Sequence, residues 1–369
     1  MTFAAAMALT PKADADSTPS VPARYSIVDL GTLGGGFTFG IGVNNSGQAT
    51  GLGATATGDV HAFIWQNGQM ADAGTLGGSF SEALLINSRG QAVGDSTTAA
   101  GENHLALFEL QGGQVRATDL GILPGASAMF GQGINDGGQV VGEADFANGV
   151  AHTVLADGTG IHDLHSRVSL GGASDTAYVI TDSGKILGES DLTGGLDSHA
   201  FLLDGSGLHD LGSLVGTWSE AFAINASGQI SGESGRDPHQ HAAYKNFQAG
   251  VVVSTPGLHN RAFLYSGGVM HALDPLPDFT ESAGPWLDGQ GNVFGTSSNA
   301  RRTKFAATMW VQGNPTSINT LLVNAPTNLA VVQEVVWGND LGQLMAYGLT
   351  TGGQTHAYLL TPVTGSNRQ

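Results

Sequence analysis

The sequence predicts an all-β chain, a single seven-bladed β-propeller with four antiparallel strands per blade, and three observations lead there. Glycine supplies 57 of 369 residues without a Gly-X-Y period, an Asx-x-x-Gly turn recurs seven times, and a strand missing from the last repeat stands before the first. Each interior glycine would cost a helix about 1 kcal/mol relative to alanine, whereas hairpins and bulges use glycine freely. At 41% hydrophobic residues the chain is too apolar for disorder.

The turn glycines are Gly47, Gly90, Gly138, Gly184, Gly228, Gly291 and Gly342, separated by 43, 48, 46, 44, 63 and 51 residues, the range of propeller blades or just above it. Three residues before each stand Asn44, Asn87, Asn135, Thr181, Asn225, Asp288 and Asn339. Their side chains can fold back onto the turn while the glycine takes positive φ. Around each turn four strands can be read, in the fourth repeat DTAYVIT (175–181), GKILGES (184–190), HAFLL (199–203) and GLHDLG (207–212). Small-residue links such as Thr32-Leu33-Gly34-Gly35 lead to the next repeat. The last repeat has three strands (331–338, 342–349 and 356–360), and Tyr25 to Leu30 supplies the fourth from the other end. The propeller is expected over 24–363, closed by that N-terminal strand, with a short polar tail at 364–369. Residues 1–23 read as a signal-peptide-like leader, with Ala13-Asp14-Ala15 as a cleavage site, or as a disordered start without a basic n-region.

The strings HAFIW (61–65), HAFLL (199–203), DLGTLGG (29–35), INDGGQVVGE (134–143) and SEAFAINASGQISGES (219–234) resemble the HAF-repeat family of probable extracellular bacterial proteins. The resemblance covers nearly the whole folded chain and implies a secreted or cell-surface repeat protein, extracellular or periplasmic, with no established reaction. Arg261-Ala262-Phe263 and Ala306-Ala307-Thr308 depart from the signature, which makes the fifth and sixth repeats the divergent ones.

A formal charge of -18 makes nucleic acid an unsuitable partner, no membrane span is predicted, and the absence of cysteine removes thiol chemistry and disulfides. No G-x-S-x-G elbow, HExxH, EF-hand loop, P-loop or dinucleotide fingerprint occurs. The least repetitive stretch is the insertion near 235–260, together with the loop at 298–304. Six of the 13 basic residues lie between 236 and 304: Arg236, Lys245, Arg261, Arg301, Arg302 and Lys304. Converging arginine forks suit carboxylate, sulfate or phosphate oxygens, so this loop face is the expected site for a carbohydrate or other anionic ligand. The other reading is solvated loop cations paired with nearby acids. Trp218 would either stack on a sugar or pack at a strand start. His239, His241 and Tyr244 are candidate acid/base groups for polysaccharide-lyase-like β-elimination on a uronate held by arginine; as a metal pair the histidines lack a third ligand, and an ordinary polar loop also accounts for them.

The histidines His61, His104, His152, His199 and His356 recur at one strand start, which points to a repeated hydrogen bond rather than catalysis. Asp95, Glu143, Glu189 and Glu233 follow the glycine of the second strand and are expected to satisfy backbone or histidine donors. Glu82, Asp175, Glu220 and Glu281 open inner strands and would make a channel mouth negative. No cofactor is expected, and Ca²⁺ is the ion such carboxylates would take. Oligomeric state and ligand identity are not legible.

Overall fold

The computed structural model describes residues 24–195, 197–214, 216–235 and 260–363. The chain is almost entirely β. After β1 (Tyr25–Asp29) come β2 (Gly34–Val43), β3 (Ala49–Thr55), β4 (Val60–Gln66) and β5 (Gln69–Asp72), each antiparallel to the next. The second group is β6 (Gly77–Ile86), β7 (Gln91–Thr98), β8 (Asn103–Gln111) and β9 (Gln114–Gly121). The third is β10 (Ala126–Ile134), β11 (Val140–Phe146), β12 (Ala151–Asp157) and β13 (Gly160–Asp163). One helical turn (His165–Val168) leads to β14 (Gly171–Ile180), β15 (Ile186–Leu192), β16 (Ser198–Asp204) and β17 (Gly207–Asp210). The fifth group is β18 (Trp218–Ile224), β19 (Ile230–Gly235), β20 (Arg261–Ser266) and β21 (Val269–Leu273). The sixth is β22 (Glu281–Leu287), β23 (Val293–Ser298), β24 (Phe305–Val311) and β25 (Asn314–Ser317). A two-residue β26 (Leu322–Val323) precedes β27 (Leu329–Gly338), β28 (Leu344–Thr350) and β29 (Thr355–Pro362). Beside β29 lies β1, antiparallel, with Ile27 opposite Leu360.

The turns form as their chemistry requires. Asn44 Oδ1 accepts the N–H groups of Ser46 at 3.0 Å and Gln48 at 3.1 Å, and Gly47 sits at φ 72°. The amide left over reaches sideways. Asn44 Nδ2 donates to Asn87 O, Asn87 to Asn135 O, Asn135 to Thr181 O, Asn225 to Asp288 O and Asn339 to Asn44 O, at 2.9 to 3.2 Å. Each turn asparagine thus fastens its own hairpin to the next one. At Thr181 and Asp288 the side chain has no amide to give. First strands also contact successive first strands, from β2 through β6, β10, β14, β18 and β22 to β27, and β27 contacts β2.

The core lies between the groups. In the HAF triplet of β4, Ala62 packs toward β6 and β7, while Phe63 packs against Met345 and Ala357 of the last group; both are fully buried. Burying one such phenylalanine contributes about 1.5–3 kcal/mol, and Phe201 and Phe263 repeat the position. The second-strand glycines allow the first strand to approach: a Cβ on Gly188 would meet Thr176 O at 1.9 Å. The ends of second strands lie beside the links into first strands, with Gly34 opposite Thr55 and Leu76 bridged to Thr98. Loops after second strands and links between groups therefore share one face.

Candidate functional site

The recurring histidines are structural clasps. Nδ1 of His61, His104, His152, His199 and His356 lies 2.8 to 3.0 Å from a carboxylate oxygen of Asp72, Asp119, Asp163, Asp210 and Asp29 respectively. The same aspartates accept the backbone N–H two residues on, as Asp72 does from Gly74 at 2.8 Å and Asp210 from Gly212 at 2.8 Å. The HAF and Asp-Leu-Gly signatures are two halves of one device that pins the third strand to the fourth and starts the link. For His356 the aspartate comes from β1. In the third group the glycine is replaced by His165, which pairs with the buried Asp175 and stacks on His152 with centroids 4.2 Å apart.

The 299–304 loop differs from the others. Asn299 Oδ1 accepts the N–H groups of Thr303 at 2.8 Å and Lys304 at 3.1 Å, and Arg302 turns through φ 49°. That turn aims the Arg302 guanidinium inward, where Nε donates to Glu281 at 3.3 Å. Burial works against its charge, but Glu233, Glu281 and Glu334 outweigh burial and raise its pKa. Around it, burial lifts Glu233 from its ordinary 4.5 to about 7, with Arg302 pulling the other way. Burial also raises Glu334, and it raises Glu220 strongly with help from the charges of Glu189 and Glu233.

Two tyrosines complete this wall. Tyr347 donates to Glu334 at 2.6 Å. Tyr178 Oη lies 2.5 Å from Glu189 and 3.1 Å from Glu220. Glu189 also accepts Ser198 Oγ at 2.9 Å and Trp218 Nε1 at 3.0 Å. A phenol has one proton, and Glu189, already holding two donors, is the nearer acceptor. The Tyr178 hydroxyl is thus shared between Glu189 and Glu220, and its contact with Glu220 works against the burial that raises the Glu220 pKa. Aromatic rings flank the set: Phe222 lies 5.2 Å from Tyr178, and Phe39 meets Tyr347 edge-on at 5.2 Å. The result is a wall on the first and second strands of groups four to seven, continuing to Phe39 of β2, where carboxyls, phenols and one guanidinium are held in fixed positions between ring faces.

Of the residues proposed from sequence, Arg236, His239, His241, Tyr244 and Lys245 lie outside the described residues. Arg302 is at the centre of the wall, but as an internal partner of carboxylates rather than a free anion ligand. Arg261 is turned to backbone, donating to Asn260 O at 3.0 Å and Thr280 O at 2.6 Å, with Asp274 at 3.7 Å. Lys304 rests 4.9 Å above the Phe279 ring, and Arg301 is exposed and engaged in a contact of its own. Trp218 is 1% exposed, so it packs and donates to Glu189 instead of offering a stacking face. Side-chain donors reach the second-strand acids: Asn103 on Asp95, Thr176 on Glu143, and Tyr178, Ser198 and Trp218 on Glu189. Asp175, Glu220 and Glu281 are buried within such networks rather than lining an open mouth. Tyr178, Glu334 and Tyr347 were not singled out from sequence. The repeat register could have found two of them: Glu334 stands at the position of Glu82 and Glu220, and Tyr347 at that of Asp95 and Glu233.

Among the described residues no group of three or more His, Asp or Glu side chains is disposed to hold a metal ion, and no helix is long and apolar enough to cross a membrane. No family model and no curated protein matches the sequence. Solved structures do match. They include an acylaminoacyl peptidase from Pyrococcus horikoshii (10% identity, TM-score 0.51, 92% of this chain) and a puromycin hydrolase mutant complexed with PGG (10%, 0.50, 88%). TolB from Acinetobacter baumannii also matches (14%, 0.43, 85%). The chain spans 53%, 54% and 63% of those three proteins. At these identities the likeness extends to fold alone, a β-propeller.

Proposed function

We propose that the chain is a secreted HAF-repeat protein whose residues 24–363 form one seven-bladed propeller, working as a binding module for a carbohydrate on the inner wall of blades four to seven. The observation that carries this reading is the wall itself. Partly buried Tyr178, Glu233, Arg302, Glu334 and Tyr347 hold donors and acceptors in place between the aromatic rings of Phe222 and Phe39. Sugars are bound by such mixtures of hydrogen-bonding groups and ring faces. A neutral, hydroxyl-rich ligand fits better than an anionic one, because the guanidinium at the centre is already committed to carboxylates. The blade count and closure draw support from the seven antiparallel groups, from Asp29 serving His356, and from the Asn339 amide on Asn44 O.

The test is retention of the whole chain on immobilised neutral and uronate-containing glycans, with absorbance followed at the unsaturated-uronate band. Retention on a neutral glycan that weakens in Tyr347→Phe and Tyr178→Phe supports the reading. Retention on none, or retention on uronates with a growing absorbance, overturns it; the second outcome would return attention to His239, His241 and Tyr244.

A further inference from the structure

We propose that the fifth and sixth groups swing as a pair, parting from the fourth and the seventh at the turn end of their strands and pivoting at the opposite end, where loops and links lie. The ties between turns are broken in two places. Turn amides join the seventh group to the first, the first to the second, the second to the third, the third to the fourth, and the fifth to the sixth. The fourth-to-fifth and sixth-to-seventh junctions lack this bond. At each, the side chain that would reach across is engaged in its own hairpin. Thr181 Oγ1 accepts Lys185 N–H at 3.1 Å and pairs with Ser183 Oγ at 3.0 Å. Asp288 Oδ1 accepts the N–H groups of Gln290 and Asn292, each at 2.9 Å, and Oδ2 accepts Asn292 Nδ2 at 2.8 Å. The residue four places on differs in step. Each asparagine turn has a glutamine there whose Oε1 accepts the turn amide, as Gln48 does from Asn44 at 2.8 Å, whereas Thr181 and Asp288 are followed by Lys185 and Asn292.

A second row of bonds stops in the same region. Ser88 Oγ donates to Asp136 at 2.7 Å, Asp136 N–H donates to Asp182 at 2.7 Å, and Asn45 and Asp340 exchange bonds of 2.9 and 3.0 Å. The corresponding residues of the fifth and sixth turns are Ala226 and Gly289, which have no side-chain group to offer. Among the described residues no hydrogen bond joins the 181–185 turn to the 225–229 turn, or the 288–292 turn to the 339–343 turn. Exposure agrees: Asn44, Asn87, Asn135 and Asn339 are 4 to 6% exposed, whereas Thr181, Asn225 and Asp288 are only half-buried. At the other end the two junctions are fastened. Ser219 Oγ accepts Ala200 N–H and Thr217 O accepts Ser198 N–H, both at 2.8 Å. Thr296 Oγ1 donates to Gln333 O at 2.8 Å, and Asn319 bonds both the C=O and the N–H of Val332. A junction tied at one end and bare at the other opens as a hinge. Two such junctions flank groups whose own turns stay joined through Asn225, so the two move together. Arg302 enters from the pivoting end, and the motion does not depend on what the inner wall binds.

The chain has no cysteine, so introduced pairs take spin labels at known places. Pulsed EPR on the whole chain reads the distance between labels at Ser183→Cys and Ser227→Cys across the fourth-to-fifth junction, and at Gln290→Cys and Leu341→Cys across the sixth-to-seventh. Ser46→Cys and Arg89→Cys serve as the control across the first-to-second junction, which Asn44 ties; all six positions are exposed. We expect a second, longer distance at the first two pairs and a single narrow one at the control. Restoring an asparagine and glutamine, by Thr181→Asn with Lys185→Gln, should lower the open fraction at that junction about fivefold, the ratio set by one hydrogen bond of about 1 kcal/mol. Asp288→Asn with Asn292→Gln should do the same at the other. Single narrow distances at the first two pairs, or an open fraction that both restored variants leave unchanged, overturn the proposal.

Discussion

Replacing Arg302 by methionine keeps most of the stem and removes a guanidinium that Glu233, Glu281 and Glu334 share. Arg302 and Glu281 side chains are 18% and 5% exposed, so the pair is largely desolvated. Removing one partner of a buried pair costs about 3–5 kcal/mol, and since Arg302 keeps an edge toward solvent the lower end applies, about 3 kcal/mol at pH 8. The loss should depend on pH in a defined direction. Folded Glu233 holds its proton up to about pH 7, whereas unfolded glutamate releases it near 4.5. Between those values the folded chain binds more protons. The contribution of such a group to stability is therefore fullest below pH 4.5 and is lost as pH rises through 7. Without Arg302 the pKa values of Glu233 and Glu334 rise further, so the deficit of Arg302→Met is large at pH 8 and shrinks toward pH 5. Equilibrium urea unfolding of both proteins at the two pH values reads this directly. A deficit under about 1 kcal/mol at pH 8, or an equal deficit at both pH values, would refute the reasoning.

Gly188→Ala should cost several kcal/mol in the same assay, because its Cβ would sit 1.9 Å from Thr176 O, while Gly158→Ala, with nothing within 4 Å and no positive φ, should stay within about 0.5 kcal/mol. His61→Ala and His199→Ala should each lose about 1 kcal/mol and leave glycan retention intact, since both are clasps of one kind; loss of retention in either without loss of stability would contradict the structural assignment. Deleting residues 24–30 removes the partner of β29 and of His356, and should abolish cooperative thermal unfolding or lower Tm sharply; an unchanged melt would argue against closure by β1.

The repeat was legible because its signals are local. An Asn whose side chain bonds its own turn, with glycine three residues on, needs nothing from elsewhere in the chain. The clasp was half legible: HAF and Asp-Leu-Gly stood out as separate motifs, although His61 and Asp72, His152 and Asp163, and His199 and Asp210 share an offset of 11 residues. The wall was less so. Tyr178 meets Glu220 42 residues away, and Trp218 meets Glu189 29 residues away, pairs made by the packing of one group on the next and announced by no local pattern. Charge counting found Arg302 but not its role, because sequence shows a cation in an acidic chain without showing that the acids nearest in space are already turned toward it. Trp218 was ambiguous for the same reason, its position at a strand start serving exposure and burial equally well.

The most direct test of the central claim is hydrogen exchange of the whole chain with and without the neutral glycan that retains it. Ligand-dependent protection should concentrate in β14, β27, β28 and the 299–304 loop, around Tyr178, Glu334, Tyr347 and Arg302. Protection confined to outer strands such as β5, β9 and β13, or no protection at saturating glycan, would contradict a binding site on the inner wall.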